Sequence, residues 1–411
     1  MMQKGMIRMA NEDFDLTQKT LLGLLGQNLF SLPFSPDLNT DWESVLDESA
    51  AQSVLILAFK NYRDFPLDEQ LADRIQKAIR MKTIMNLNCF KSHTYLTKLM
   101  EENHISYCMI KGAASARYYP DPLLRNMGDV DFYVSPCDIE KATNVLLEAG
   151  FCKKEGNHKY HTGFRKGKAV FEMHFEPIAV PKGNVGTIFR EYWKDIYETS
   201  AIVRDGLAEF RMPSLFHHGF ILLTHLYSHM LSEGVGLRHV CDWALFVNSL
   251  PAEEFVDIFR DKLKRVGLWS LAQAICLAAV EYMGMPYQEW MGDDRETAKA
   301  LLLDFMKGGN FGHKNRQRGY EGFFISNRGV DGVKKNRIFQ LFFSMNRLVD
   351  GYWSFAKKCP LLYPVGWIYF TIRFFCRRIS GKRKISIWDS YVEGGKRKEL
   401  YKKLNLLEPE Q

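Results

Sequence analysis

The sequence contains few of the features that mark secreted, disulfide-stabilised or membrane-spanning proteins. Its eight cysteines include no C-x-x-C pair and no short regular spacing, which argues against a disulfide framework or a cysteine-based zinc site. No apolar run of signal-peptide length precedes the acidic residues 12–15. The most apolar segment, 359–376, is interrupted by Pro360, Pro364 and Arg373 and predicts no transmembrane helix. We therefore expect a cytoplasmic protein with reduced thiols.

Positive charge is concentrated near the C-terminal end of a chain that is otherwise typical of a globular protein. The chain has 411 residues, 46% hydrophobic and 25% charged, enough for two or three structural units. Its net charge is +7, but residues 377–403 contain ten Lys/Arg and three Asp/Glu, so the remainder is neutral overall. The simplest interpretation of this basic tail, 377–411, is a solvated terminal segment. The alternatives are a contact with RNA phosphates or, with the segment 359–384, a peripheral contact with an anionic membrane surface.

Hydrophobic periodicity divides the chain into helical and mixed regions. Apolar residues at three- and four-residue spacings predict helices on both sides of a central segment in which short β-leaning runs alternate with helices. Within that segment, a helix is predicted to begin at its N-cap Ser135 and to end at Gly150, and a hairpin is predicted through 166–168. The pattern predicts an α+β fold with a small mixed sheet between helical regions. The predicted regions are 1–105, 106–180, 187–376 and the tail 377–411.

Two aspartates stand one residue apart in the predicted strand "DVDFYV". Because side chains alternate along a strand, Asp129 and Asp131 are expected to share a face, where two carboxylates repel unless a cation lies between them. Oxygen ligands of this kind suit Mg²⁺, which is usually completed by water and substrate phosphates. The pair therefore predicts a metal site and, through the metal, a nucleotide.

Two further features strengthen this prediction. Lys111 and Gly112 stand at a strand-to-helix junction, where an ammonium and free backbone N–H groups favour a phosphate. Glu172 lies on a later strand of the same region and can supply a third carboxylate ligand. His174, two residues further on, is expected on the same side, where it can orient that acid or a phosphate.

The segment "KGAASARYYPDPLLRNMGDVDFYV", together with "VFEMHFE" at 170–176, resembles the nucleotidyltransferases of the DNA polymerase β type. It resembles more closely a bacterial group described as uncharacterised nucleotidyltransferase family proteins. The resemblance implies a palm-like sheet and the transfer of a nucleoside monophosphate from a triphosphate to an acceptor hydroxyl of an RNA, a protein or a small molecule.

The resemblance also implies roles for particular residues. Asp129, Asp131 and Glu172 would be the catalytic acids and would bind two Mg²⁺ ions, with Mn²⁺ as an alternative. The nucleotide-binding residues would be Lys111, Gly112, Ala113, Arg125 and Gly128. Ala113 stands where the family usually has serine, and we expect Lys111 and Arg125 to contribute the cations that hold the phosphates.

The predicted helical C-terminal region contains His217, His218, His225, His229 and His239. His225 and His229 share a helix face at a spacing that metal ligands also use, which leaves a metal-dependent phosphohydrolase as an alternative function. Otherwise His225, Arg238 and Asp242 are candidates for positioning the substrate. A catalytically silent protein that binds RNA or a membrane surface is a further alternative.

Overall fold

The structure, a computed structural model, describes residues 13–154, 160–177, 180–181, 183–315, 318, 321, 345–346, 349, 353, 359–379, 387–406 and 408. Helices before the sheet are α1 (Leu16–Phe30), α2 (Trp42–Ala51), α3 (Leu55–Ala58) and α4 (Glu69–Glu102). Asp15, Asp41 and Asp68 begin α1, α2 and α4, since each carboxylate accepts hydrogen bonds from backbone N–H groups of the first turn.

The central sheet confirms the predicted α+β fold. Its strands are β1 (Tyr107–Met109), β2 (Val130–Val134), β3 (Cys152–Lys153), β4 (His161–Lys166) and β5 (Ala169–His174). They lie in the order β1-β2-β5-β4-β3, and the β2–β5 pair is parallel, whereas the other described pairs are antiparallel. A short helix α5 (Ala113–Ala116) follows β1, and α6 (Ile139–Glu148) joins β2 to β3. The predicted hairpin through 166–168 joins β4 to β5.

The helix α6 begins later than predicted. Residues Pro136–Asp138 form a 3₁₀ turn, and the Ser135 side chain makes no capping hydrogen bond. The carboxylate of Asp138 instead accepts the backbone N–H of Ser106 at 2.8 Å. The predicted capping residue is therefore wrong, because Asp138 bonds to the segment before β1 rather than closing a box with Ser135.

A second, two-stranded sheet lies in a region that the sequence pattern predicts as helical. It consists of β6 (Ala201–Arg204) and β7 (Glu209–Met212). The turn contains Asp205-Gly206, and Gly206 has a φ of +84°. Asp-Gly between short β-leaning runs is a strong hairpin signal, so this element was open to prediction. Phe210 and Met212 of β7 are buried in the core of the central sheet.

The helices after α6 are α7 (Asn184–Trp193), α8 (Leu215–Leu231), α9 (Leu237–Asn248), α10 (Ala252–Arg265), α11 (Trp269–Met283) and α12 (Arg295–Gly308). They share one hydrophobic core with α1, whose Leu21 and Leu25 are fully buried. Gly26 allows α1 to approach α11 closely, because a methyl group there would lie 2.5 Å from the carbonyl oxygen of Met283. The domain boundaries stay a prediction, but the two helical regions bury a common surface.

The basic tail is partly built into this helical core. Its helix, α14 (Ile387–Lys403), follows α13 (Tyr363–Ile379) in the described part of the chain. Arg397 is 5% exposed and forms ion pairs with Asp304 at 3.3 Å and Glu321 at 3.2 Å, and it donates to the carbonyl oxygen of Met230. The expectation of a wholly solvated segment is therefore wrong for this helix, because its arginine completes a buried charge network.

The predicted membrane contact at 359–384 falls partly on α13. Leu361 is 86% exposed and Ile368 62% exposed, so an apolar face of this segment is open in the described structure. Residues 380–384 lie outside the described residues, and the contact stays a prediction. Among the helices of the described chain, none has both the length and the apolar character needed to cross a bilayer.

Candidate active site

Neighbouring parallel strands bring the predicted acids together. In the register of β2 and β5, Asp131 lies opposite Glu172 and Tyr133 lies opposite His174. Asp129 stands one residue before β2 begins. Because side chains alternate along a strand and paired residues share a face, Asp131, Glu172 and His174 project to one side of the sheet. That side therefore carries two of the predicted carboxylates and an imidazole.

Asp131 is a buried carboxylate that accepts two polar contacts on one oxygen. Nζ of Lys111 lies 3.2 Å from its Oδ1, and Nε2 of His174 lies 3.0 Å from the same atom. Burial alone would raise the pKa of Asp131, but the charge of Lys111 and the hydrogen bond from His174 outweigh burial and hold this pKa well below its ordinary value. The carboxylate is therefore negative at neutral pH.

The surroundings of Glu172 oppose the ionisation of its carboxyl group. Burial raises its pKa, and the charges of Asp131 and Asp129 raise it further, to about 7. Asp131 and Asp129 therefore lie close enough to Glu172 for their charges to oppose its ionisation, and a positive charge beside the three acids would offset this repulsion. Such a set of carboxylate oxygens fits Mg²⁺ or Mn²⁺.

His161 belongs to the same cluster, although the sequence analysis did not indicate it. It pairs with His174 across β4 and β5, and its Nε2 lies 3.8 Å from a carboxylate oxygen of Glu172. One ligand atom from each of these three side chains lies within 4.8 Å of the others. The predicted turn at 166–168 fixes this register. Pairing the residues of β4 and β5 outward from the turn would therefore have placed His161 opposite His174. Gly163, opposite Glu172, carries no side chain above the acid.

The predicted phosphate-binding turn between β1 and α5 is held by a buried histidine. Gly112 has a φ of +69°, and a methyl group there would lie 2.5 Å from Nε2 of His93. That nitrogen accepts the N–H of Ala113 at 3.2 Å, while Nδ1 donates to the carbonyl oxygen of Cys89 at 2.8 Å. Burial lowers the pKa of His93 to about 4, so the ring is neutral and satisfies both bonds. The N–H of Ala113 is therefore already engaged.

The loop that leads into β2 is anchored on α4 by Asn86. Its side-chain amide donates to the carbonyl oxygens of Leu123 and Arg125, each at 2.7 Å, and its side-chain oxygen accepts the N–H of Met127 at 3.0 Å. Asn86 is fully buried. Gly128 follows this anchored segment, is exposed, and has open space where a side chain would stand. The predicted nucleotide-binding glycine is thus accessible.

Arg125 and Asp242 form a buried ion pair. Nε and Nη2 of Arg125 each donate to a different oxygen of Asp242 at 2.8 Å, and the hydroxyl of Tyr119 donates to Oδ1 at 2.8 Å. Neither charged side chain is more than 5% exposed. The predicted phosphate cation and the predicted substrate-positioning acid therefore contact each other, and they join the loop before β2 to α9.

The predicted histidines separate into two groups. His217 and His218 are buried in the helical core, where His218 stacks on Tyr118. His225, His229 and His239 instead meet one another, with 3.1 Å between Nε2 of His225 and Nε2 of His229. We call these three side chains the histidine cluster.

The histidine cluster adjoins the acids through Lys111. Nζ of Lys111 lies 3.4 Å from Nε2 of His225, and a small cavity lies between Lys111 and the helices α8 and α9. Arg238 lines the same cavity. Two unit charges about 4 Å apart interact by about 4 kcal/mol at an effective dielectric constant near 20, and a dication doubles the repulsion. Lys111 and Arg238 therefore oppose a divalent cation here, although the ligand atoms of the three histidines lie within 4.8 Å of one another, and the phosphohydrolase alternative stays a prediction.

The comparisons with known proteins agree with the chemistry of this site. A family model described as "Uncharacterised nucleotidyltransferase" matches residues 39–284, which is more than half of the chain and includes every candidate residue above. No curated protein matches the sequence. A solved structure of an antigenic nucleotidyltransferase-like protein from Paracoccidioides brasiliensis is similar at 15% identity, over 45% of this chain and 91% of that chain, with a TM-score of 0.29. At that score, the likeness supports no inference about this site.

Proposed function

Because the chain belongs to the uncharacterised nucleotidyltransferase family, we propose that it transfers a nucleoside monophosphate from a nucleoside triphosphate to an acceptor hydroxyl, with Mg²⁺ or Mn²⁺ as cofactor. The family supports nucleotidyl transfer in general. The metal, the residues and the type of acceptor are our proposal.

The pairing of Asp131 with Glu172 across β2 and β5, with Asp129 one residue before β2, is the observation on which the proposal rests. Burial raises the pKa of Glu172, and the charges of Asp131 and Asp129 raise it further. Divalent cations offset this repulsion, and carboxylates on neighbouring strands are a suitable ligand set. In this proposal Asp129, Asp131 and Glu172 hold the metal.

Bound divalent cations would neutralise charge on the entering and leaving oxygens. The acceptor oxygen forms a bond to the α-phosphorus while the bond between that phosphorus and the bridging oxygen breaks. Pyrophosphate leaves with the bonding electrons, and the acceptor proton passes to water. No covalent intermediate on the protein is required.

The chain's own groups position the reactants around this step. His174 donates to Asp131 and fixes the orientation of that carboxylate. Lys111 contacts the same oxygen and is the nearest ammonium for the departing phosphates. Arg125 and Asp242 act through the loop before β2, whose position they fix, rather than by contact with the nucleotide.

The test is a transfer assay with the full chain. The protein is incubated with Mg²⁺ or Mn²⁺ and each α-labelled nucleoside triphosphate, alone or with RNA, protein and small-molecule extracts. We expect the label to move into one of these pools, and the pool that receives it identifies the acceptor.

The matched variants are Asp129→Asn and Asp257→Asn, the latter an exposed aspartate on α10. Transfer should be lost in the first and retained in the second. Absence of transfer from every triphosphate, together with absence of metal-dependent triphosphate binding by calorimetry, would reject the proposal.

A further inference from the structure

The histidine cluster lies one ammonium group away from the acids. Lys111 contacts Asp131 at 3.2 Å on one side and His225 at 3.4 Å on the other. A group bound at the cluster would therefore lie directly beside whatever the acids hold. The cavity beside Lys111 is lined by side chains from α8 and α9 and by Lys111 and Arg125 from the loops after β1 and before β2.

Polar atoms of the cluster are buried without partners. In the part of the chain that the structure describes, Nδ1 of His229, both ring nitrogens of His239 and Nε of Arg238 have no hydrogen-bond partner. His239 is only 6% exposed. Buried polar atoms are satisfied in most folded proteins, so the unpartnered nitrogens of Arg238 and His239, which both line the cavity, indicate a missing ligand.

The charges around the cavity decide between a cation and an anion. Arg238 makes one hydrogen bond within the described residues, to the carbonyl oxygen of Asn126 at 3.3 Å, which leaves its charge without a carboxylate contact of its own. Lys111 adds a second positive charge beside the imidazoles, and Asp242, which also lines the cavity, is paired with Arg125. Arginine, lysine and imidazole N–H groups are all donors, and phosphate oxygens are acceptors with negative charge.

We propose that Lys111, Arg238 and the histidine cluster bind the diphosphate group that leaves in nucleotidyl transfer, as the β- and γ-phosphates of the substrate and then as pyrophosphate. The assignment rests on the proposed function. It makes the helical region, rather than the glycine turn at Gly112, the main binding surface for the leaving group. The ring centroid of Phe311 lies 4.7 Å from that of His229, so this ring packs against the histidine cluster.

The test is calorimetric titration of the full chain with pyrophosphate in EDTA, which removes the metal from the comparison. The variants are Arg238→Gln and His239→Asn, with Arg260→Gln on the exposed face of α10 as the matched control. Each of the first two should weaken pyrophosphate binding at least about tenfold, as expected for loss of a hydrogen bond to a charged group. Arg260→Gln should leave the affinity for pyrophosphate unchanged. Arg238→Lys should keep part of the affinity that Arg238→Gln loses.

Folding is checked on each variant by its unfolding midpoint. Since neither ring nitrogen of His239 has a partner in the described structure, His239→Asn removes no intramolecular hydrogen bond and should fold normally. Adenosine monophosphate, which lacks the diphosphate, should bind all variants equally. Orthophosphate should bind more weakly than pyrophosphate if the site is built for two phosphoryl groups.

The outcomes separate this inference from the proposed function. If label transfer is observed but the folded variants bind pyrophosphate like the wild type, the diphosphate site is wrong and the transferase stands. If no triphosphate supports transfer or shows metal-dependent binding, but the variants lose pyrophosphate binding, the anion site stands and the transferase is wrong. If the purified protein carries stoichiometric zinc that His239→Asn loses, and the metal-free protein does not bind pyrophosphate, the cluster is a metal site and the inference is rejected.

Discussion

Glu172 is partly buried and lies near the charges of Asp131 and Asp129, and these surroundings give a stability prediction. Its pKa is raised from an ordinary value of 4.5 to about 7. Between these pH values the folded protein keeps a proton that the unfolded chain has lost, so stability falls as the pH rises through that window. Glu172→Gln removes the group, and in EDTA at pH 8 the variant should be more stable than the wild type.

Urea unfolding at pH 4.5 and pH 8, in EDTA and with Mn²⁺, checks this prediction. At pH 4.5 the two proteins should be equally stable, and Mn²⁺ should stabilise only the wild type. Glu148→Gln, an exposed acid on α6, serves as the control. A variant that is less stable than the wild type at pH 8 without metal would contradict the proposed effect of these surroundings.

At the scale of elements, the turn from β1 to α5 depends on one glycine. Gly112→Ala introduces a methyl group 2.5 Å from Nε2 of His93 at a left-handed φ, so it adds a steric clash to backbone strain. We expect a loss of at least about 2 kcal/mol in the free energy of unfolding. Gly167→Ala, at a φ of +58° with open space around it, should cost about 1 kcal/mol. If chemical denaturation shows equal losses of unfolding free energy in the two variants, the side chain of His93 can move away from the added methyl group without cost.

The link between the loop before β2 and α9 is a buried charge pair. Asp242→Asn leaves Arg125 buried without its partner and should cost about 3–5 kcal/mol in the free energy of unfolding. The double variant Arg125→Met/Asp242→Leu removes both charges and should cost less than Asp242→Asn alone. Denaturation of the single and double variants measures the coupling. Additive losses would mean that the two residues stabilise separate parts of the fold.

For the whole molecule, the sequence predicted some local elements and missed the contacts between distant segments. The pattern at 166–168 was sufficient for its hairpin, whereas the equally local hairpin of β6 and β7 was missed. The contact of His93 with Gly112, the anchoring of the loop by Asn86 and the packing of α1 on α11 join segments that no periodicity relates. Such contacts follow from tertiary packing, which a single sequence does not display.

Buried histidines should make the whole fold sensitive to acid. Burial lowers the pKa of His218 to about 3, whereas the unfolded chain takes up the proton near 6.5, so stability is present above pH 6.5 and is lost as the pH falls. For one such group the loss between pH 7 and pH 5 is about 2 kcal/mol. Between pH 7 and pH 5, the free energy of unfolding of His218→Leu should fall by about 2 kcal/mol less than that of the wild type. The variant lacks this buried ring, whose nitrogens have no partner among the described residues.

Urea unfolding of both proteins at several pH values between 5 and 7.5 tests the acid response. His313→Leu, at a position close to the surface, is the comparison and should keep the pH dependence of the wild type. An unchanged slope in His218→Leu would mean that His218 takes up its proton without unfolding the core.

The core that α1 shares with α11 also determines when the protein can fold during its synthesis. Roughly 240 residues separate the two helices, so at about 5–20 residues per second the partner of α1 leaves the ribosome roughly 12–50 s later. Throughout that interval α2 and α3 can already pack on α1, but the face of α1 around Gly26 lacks the helix that later covers it. Part of the apolar surface of α1 is therefore open to a chaperone on the nascent chain, and the shared core cannot close before α11 is made.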